Sequence, residues 1–414
     1  MKIVLILLDA FRHDYLSKKN TPFLYSLIKK SIYIKQVVPS YGFCERTEIL
    51  TGLNSKESGF FTAIGYDPKG SEYKNVRFLS LAGFIENILP DRPIYKKNSL
   101  KTVYRRIVIK YLLRGKKFKM RTYEIPLSLL NYFNLTEDLK DHRDKNAFNS
   151  ESVFDLLEQE GKKCFYDSFS ALGLEENGDD NHKLQIALDN ANHTDYKLYL
   201  IYNSKTDFLG HKYGVDSVEL TKGLRRLDKS MSDFTQKFID KEHNTKFIFL
   251  GDHGMTNVLK KFNAQQEIRR IAKMLDLKLH RDYIYFLDST ITRIWFKTDK
   301  AKDLLKENLI NSVLFLNHGN FVDSFFAKKS NIPCNDDRYG DLIWLANEGV
   351  LITPDFFHTK DNNPLGMHGY NPNNSDSRGF SIIFDNSQDT HKIDSFKQKN
   401  LTYIYDILKK EIKN

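Results

Sequence analysis

The sequence predicts an α/β protein with a mostly parallel central sheet covered by helices on both faces. Three observations predict it. Short, almost wholly apolar runs, such as Ile3 to Leu8, "YKLYLIYN" at 196–203 and "TKFIFL" at 245–250, read as strands buried on both sides. Segments with helical periodicity separate these runs. Residues able to do chemistry stand directly after the runs, at the carboxyl ends where such sheets gather ligands.

Taken in order, "KIVLILL" at 2–8 is a strand ending in Asp9. "TPFLYSLIKK" at 21–30 follows as a helix, with Thr21 at the N-cap and Pro22 in the first turn. "IYIKQVVP" at 32–39 is a strand, and "CERTEILTG" at 44–52 is a short helix closed by Gly52. "SVFDLLEQEGKKCFYDS" at 152–168 reads as a helix, then Gly161, then a short strand. After the strand at 196–203 comes "TDFLGHKYG" at 206–214, read as a glycine-flanked loop with Asp207 and His211 four residues apart. A plainer reading is a helix start capped by aspartate, with an incidental histidine. A long amphipathic helix at 217–240 leads to "TKFIFLGDHG" at 245–254, a strand whose end carries Asp252 and His253.

With 414 residues, 41% hydrophobic and 28% charged, the composition is that of a globular chain. Three widely spaced cysteines exclude a disulfide framework and a CxxC metal motif. The first apolar run ends in Asp9 and not in a small-residue cleavage site, and no run approaches the roughly 18–20 residues of a membrane span. The expected location is therefore the cytoplasm. The net charge of +10 is concentrated: 101–121 holds nine Lys or Arg and no acid. Apolar residues at 103, 104, 107, 108, 111 and 112 predict a helix with one apolar and one basic face. Such a helix is either simply solvated or a surface for anionic lipid or a glycan phosphate. No nucleic-acid motif accompanies it, and nucleic acid is not expected as a partner.

Asp9, Asp207, His211, Asp252 and His253 come from distant parts of the chain, yet the ends of parallel strands share one rim. His368, in the Gly-rich "PLGMHGYNPNN", is a sixth candidate. Carboxylate and imidazole together suit zinc, with manganese as the alternative. Two divalent ions roughly 4 Å apart can hold both an attacking oxygen and a phosphoryl oxygen.

The segments "LLDAFRHDYL", "ILTGLNSKESG", "TDFLGHKYG" with "LRRLDKSM", "GDHGM", "DRYGDLIWLANEG" and "HGYNPNNSDSRGFSIIF" occur in one order. In that order the sequence resembles the type I phosphodiesterase/nucleotide pyrophosphatase family of the alkaline phosphatase superfamily. The resemblance spans the chain apart from roughly 60–145 and parts of 265–335. It implies one catalytic domain over 1–414, an alkaline phosphatase-like α/β/α sandwich with an insertion at about 60–145 and a cap-like insertion at about 265–365. It implies one ion held by Asp207, His211 and His368, and another by Asp9, Asp252 and His253. It also implies a phosphodiester or related phosphate ester as substrate.

In that family a threonine or serine bridges the ions and attacks phosphorus. Counting back from Thr51-Gly52 through "VPSYGFCERTEILTG" puts this position at Gly42, the family's proline at Cys44 and its asparagine at Glu45. Four readings follow: a Cys44 thiolate as nucleophile, Ser40 as nucleophile from a shifted loop, attack by water or an acceptor substrate in the space at Gly42, or binding without turnover. Arg46 falls where sulfatases of the same superfamily carry an arginine, and would fork onto a phosphate or sulfate oxygen. The expected function is a two-metal phosphodiesterase. One alternative is a phospho- or sulfo-ester hydrolase or transferase for a cell-envelope glycan or lipid. The other is a metal-dependent phosphate- or nucleotide-binding protein.

Overall fold

Seven strands make the main sheet: β1 (Lys2–Leu8), β2 (Ile32–Val38), β3 (Lys163–Tyr166), β4 (Tyr196–Asn203), β5 (Thr245–Leu250), β6 (Gly379–Asp385) and β7 (Ser395–Asn400). The computed structural model describes residues 1–90, 93–95, 98–115, 117–166, 180–191, 196–358, 363–387 and 394–414. The strand order is β7-β2-β6-β5-β1-β4-β3, and β6 alone runs antiparallel to its neighbours. The helices that bear on the site are α1 (Pro22–Leu27), α2 (Glu45–Thr51), α3 (Leu79–Ile88), α4 (Leu100–Leu112), α5 (Val153–Gln159), α6 (Asp180–Asn190), α7 (Lys205–Tyr213), α8 (Val218–Lys241) and α9 (Tyr403–Lys413).

The side chains of β1 show why its apolar run is continuous. Ile3, Leu5 and Leu7 point to one face, against Leu50 of α2, Leu156 of α5 and Leu408 of α9. Val4, Ile6 and Leu8 point to the other, against Leu24 of α1, Leu188 of α6 and Met231 of α8. Every residue from Ile3 to Leu8 is fully buried. A strand with both faces covered has no position for a polar residue, and each Leu or Ile so buried contributes about 1.5–3 kcal/mol. The register sets Leu8 beside Asn203 and Leu7 beside Leu250, so β1, β4 and β5 end abreast.

Residues 206–214, expected as a loop, fold as helix α7. Asp207 and His211 therefore share one helical face at i,i+4 spacing. Gly210 serves close packing, since a Cβ there would meet Met255 Sδ at 3.0 Å, and a Cβ on Gly366 would lie 2.6 Å from the Gly210 carbonyl oxygen.

A second sheet of four antiparallel strands has the order Tyr283–Leu287, Ile291–Phe296, Leu342–Ala346 and Gly319–Phe321. One apolar cluster joins it to the earlier stretch, with Ile64, Leu79, Ile125 and Phe133 packed among Ile284, Phe286 and Trp344. Helices α3 and α4 lie side by side over this cluster. The Tyr104 hydroxyl donates to the Ala82 carbonyl at 3.1 Å, and Arg105 Nη1 meets Glu86 Oε1 at 2.8 Å. Glu86 Oε2 also accepts from the Leu127 amide at 2.7 Å. Helix α4 stops at Leu112, well before the basic run ends at Arg121. Its apolar residues do not form the single face expected. Tyr104, Val108 and Leu112 pack inward, while Val103, Ile107 and Tyr111 stand exposed. Among the described residues, no helix is long and apolar enough to cross a membrane.

Arg105 and Glu86 are both buried, so Arg105→Ala strands a carboxylate. Urea unfolding should show a loss of about 3–5 kcal/mol, far beyond that of Lys110→Ala on the exposed side of the same helix.

Candidate metal centre

Asp9 follows β1 directly, Asp252 and His253 follow β5, and α7 follows β4. The abreast strand ends bring them together, and the loop at His368 completes the group. Two triads result, Asp207–His211–His368 and Asp9–Asp252–His253, each with its ligand atoms within 4.8 Å of one another. Asp207 Oδ1 lies 3.0 Å from His211 Nε2 and 3.5 Å from His368 Nε2. His253 Nε2 lies 3.1 Å from Asp9 Oδ1 and 3.8 Å from Asp252 Oδ1. The rings of His253 and His368 stack with centroids 4.2 Å apart, so the triads share a wall.

The ligands are held from behind. His211 Nδ1 hydrogen-bonds the Gly366 carbonyl at 2.8 Å, and His253 Nδ1 the Gly254 carbonyl at 2.9 Å. Each contact makes Nδ1 the donor and turns Nε2 toward the triad. Asp252 Oδ1 accepts from the amides of Ala10 at 3.2 Å and His253 at 2.9 Å. Asp9 Oδ2 accepts from the Tyr202 hydroxyl.

A divalent cation fits this donor set. Asp207 Oδ1 is buried without a hydrogen-bond partner, yet stands between two imidazole nitrogens. Its separations from them bracket the roughly 3.3 Å edge of a tetrahedral N/O zinc shell. The charges point the same way. Burial pushes the Asp252 carboxyl up to about 7, with Asp9 and Glu45 adding to the rise and His253 opposing it. Burial would also raise Asp9, but His253, then Arg46 and Tyr202, hold it below the ordinary carboxylate range. Burial opposes a charged His253, but Asp252 and Asp9 push its imidazolium well up. A proton on His253 thus balances the two carboxylates, and a metal ion held by this triad would take its place. Burial, then His253 and His211, drive His368 well below its usual value, which leaves a neutral imidazole able to ligate.

The other sequence-derived candidates fall as follows. Cys44 is the N-cap of α2 but is only 5% exposed, packed in the cluster of Ile49 and Leu50. Burial pushes its thiol well up, and Glu137, Glu45 and Asp138 add to the shift, so the setting holds a protonated thiol. The Ser40 amide donates to Glu48 Oε1 at 2.8 Å. Arg46 is half-buried, with its guanidinium 5.8 Å from the Tyr202 ring centre. Burial opposes its charge, but Tyr202, Glu137, Asp138 and Asp9 keep it protonated beside the second triad. Gly42 has φ +110°, and a Cβ there would lie 1.9 Å from the Phe61 carbonyl oxygen. That carbonyl accepts the Phe43 amide at 2.9 Å, and the Phe43 ring lies edge-on to His368, with centroids 5.6 Å apart. The backbone at 42 therefore excludes any side chain.

Three neighbours were not singled out in the sequence. Tyr202 stands one residue before the end of β4. Buried Glu137 accepts from both the Thr47 amide and hydroxyl, at 2.6 and 2.5 Å, and anchors α2. His358 lies with its ring centre 6.2 Å from that of His211, and its Nδ1 meets Asp355 Oδ2 at 2.9 Å. The only sequence signal for this last pair is the spacing Asp-x-x-His in "PDFFH". Elsewhere, His13 meets Ser375 Oγ at 2.8 Å, His318 stacks on Phe262, and the Tyr370 hydroxyl donates to the Val350 carbonyl.

A mostly parallel sheet with paired acid–imidazole triads at its carboxyl edge defines a member of the alkaline phosphatase superfamily. Within it, the chain belongs to the type I phosphodiesterase/nucleotide pyrophosphatase family, whose sequence profile matches residues 3–371. It is 22% identical to ectonucleotide pyrophosphatase/phosphodiesterase 1 of Saccharomyces cerevisiae, over 92% of this chain and 52% of that protein. The chain thus spans about half the length of the yeast relative. It is 21% identical to the bis(5'-adenosyl)-triphosphatase ENPP4 of Homo sapiens, over 89% of this chain and 69% of that protein. Among solved structures, murine ENPP5 as an inactive variant in complex with AMP matches with a TM-score of 0.69 at 17% identity, covering 100% of this chain and 95% of that one.

Burial pushes the Glu48 carboxyl up to about 8, against hydrogen bonds from Ser40. A raised carboxyl favours the fold fully below its unfolded value, and that support is lost as pH rises through about 8. Glu48→Gln should therefore match the parent near pH 4 and exceed it by at least about 1 kcal/mol at pH 9 in denaturant titrations. Labelling with a thiol reagent tests the state of Cys44, which should react only after denaturation; rapid labelling in the native state would restore the thiolate.

Proposed function

We propose that the chain is a two-metal phosphodiesterase or nucleotide pyrophosphatase whose attacking oxygen comes from water or an acceptor hydroxyl. The observation that carries this reading is the adjoining pair of triads, with Arg46 beside one of them. Two divalent ions, zinc by the balance of imidazole and carboxylate, would neutralise phosphoryl charge and activate the attacking oxygen. Arg46 forks onto a phosphoryl oxygen. Tyr202 and the Gly366 and Gly254 carbonyls keep Asp9, His211 and His253 aligned. The absence of a side chain at Gly42 and the buried thiol of Cys44 support attack from outside the chain. Water adds to phosphorus, the bond to the leaving oxygen breaks, and a proton passes to that oxygen.

A cavity of about 400 Å³ beside Gly369 and Tyr370 supports a nucleotide-like substrate. Tyr41, Phe326 and Tyr370 give it aromatic walls, and Asn320, Asn347 and Asn371 give it amides. Among the described residues, Asp323 and Glu348 are its charged ones, and no Lys or Arg lines it. Such a cavity suits a neutral ring with hydrogen-bonding edges, leaving the phosphate to the metal side. The stretch at about 265–365 contributes most of this wall, and we assign it the role of a specificity cap. A phosphodiester carried on an envelope lipid is the second reading, favoured by the exposed apolar face of α3 and α4.

Hydrolysis of bis-p-nitrophenyl phosphate, zinc-loaded against metal-stripped, tests the proposal. Turnover should depend on zinc. Asp207→Ala and Asp252→Ala should each lower kcat/KM at least about hundredfold, with one bound ion fewer per chain. Cys44→Ala and Ser40→Ala should stay within about threefold of the parent. Loss of turnover in either of the last two, with the unfolding midpoint unchanged, would return the nucleophile to that residue. Two bound ions per chain without turnover of this or any nucleotide diester would leave a binding protein.

A further inference from the structure

We propose that the outer face of the α3–α4 hairpin docks onto an anionic phospholipid bilayer. Phe78, Leu81, Phe84, Ile85 and Ile88 all stand exposed, Phe84 at 63% and Ile88 at 66%. Their spacing of three and four residues makes one stripe along α3. The opposite side of the helix is buried: Leu79, Ala82, Gly83 and Glu86 face the protein. Leu100, Val103, Ile107 and Tyr111 repeat the pattern along α4. Both helices pack their inner sides on the same apolar cluster, so both outer stripes turn away from it. Contiguous apolar side chains of this size are rarely left in water without a partner.

The hairpin is not loosely held. The buried pair Arg105–Glu86 and the hydrogen bond from Tyr104 to Ala82 tie the helices together. A Cβ on Gly83 would sit 2.3 Å from the Ser128 amide, so α3 is seated as close as its backbone allows. The exposed stripes are thus a fixed surface.

Charge identifies the occupant. Arg106 and Lys110 stand exposed along α4, and Arg114, Lys117, Lys119 and Arg121, also exposed, follow it. Glu86 is the one acid in α3 and α4, and it is buried against Arg105. Neither helix exposes a carboxylate. A second copy of the chain would bring the same cations against these, a like-charge contact that opposes pairing. An anionic bilayer complements both features. Apolar side chains enter the boundary between headgroups and acyl chains, while cations stay among the phosphates. Each cation near such a surface strengthens binding about fivefold. The inference stands apart from the phosphodiesterase reading, because docking is read without turnover.

Sedimentation of the full chain with vesicles tests it. The protein should pellet with phosphatidylglycerol mixed into phosphatidylcholine, far less with phosphatidylcholine alone, and less as salt rises. Phe84→Glu with Ile88→Glu should weaken binding at least about tenfold. Arg106→Glu with Lys110→Glu and Arg114→Glu should weaken it about hundredfold or more. All five positions are exposed, so the unfolding midpoint should hold and separate lost docking from lost fold. Failure of the parent to bind the mixed vesicles overturns the proposal, as does undiminished binding by both variants. A dimer in analytical ultracentrifugation that Phe84→Glu dissolves, with no vesicle binding, overturns it in favour of a contact between two copies.

Discussion

The parallel pairing of β1 with β4 on one side and β5 on the other is the constraint on which the site depends. Because Leu8 lies beside Asn203 and Leu7 beside Leu250, the chain leaves the sheet at three neighbouring points. Asp9, Asp252 and His253 emerge there at once, and α7 starts close enough for Asp207 and His211 to join them. A slip of one residue in β1 would turn its whole apolar set to the wrong faces, so the register is enforced by both cores together. The candidate metal site inherits its precision from packing that involves none of its own side chains.

Around that centre the charges are arranged for a cation. Three carboxylates and three imidazoles meet at the rim, one triad buried and the other partly exposed, and they lean on one another. His253 keeps a proton against Asp9 and Asp252 while His368 is kept from taking one. Hydrogen bonds to backbone carbonyls aim the nitrogens. Against this orderly donor set stands the altered loop at 40–46. Gly42 is pressed onto Phe61, Cys44 is folded into the core, and Glu45 brings a further buried carboxylate. The loop thus offers no side chain at 42 and no exposed thiol at 44.

The two remaining surfaces divide the substrate question. Among the described residues, the cavity by Tyr370 is aromatic, amide-rich and without cations, whereas the α3–α4 hairpin is apolar and cationic. The first suits the uncharged part of a small phosphate ester, and the second a surface that carries phosphates of its own. Both arise from segments outside the main sheet.

By itself, the sequence determined the sheet and the acids and imidazoles that stand at its carboxyl edge. A buried parallel strand must be a continuous apolar run, so β1, β4 and β5 were legible, and an acid or histidine directly after such a run has one rim to occupy. Tertiary structure decided the rest. The stretch "TDFLGHKYG" carries two glycines and reads as a loop, but it folds as a helix in which Gly210 packs closely against Met255 and Gly366. Cys44 reads as a thiolate beside metal ions until its burial is known, because pKa is set by surroundings that spacing does not encode. The single apolar face expected near 101–121 splits in two, since periodicity shows which residues share a helix face but not which face the core will cover. The space at Gly42 belongs to the Phe61 carbonyl, a contact between residues that only the folded chain brings together.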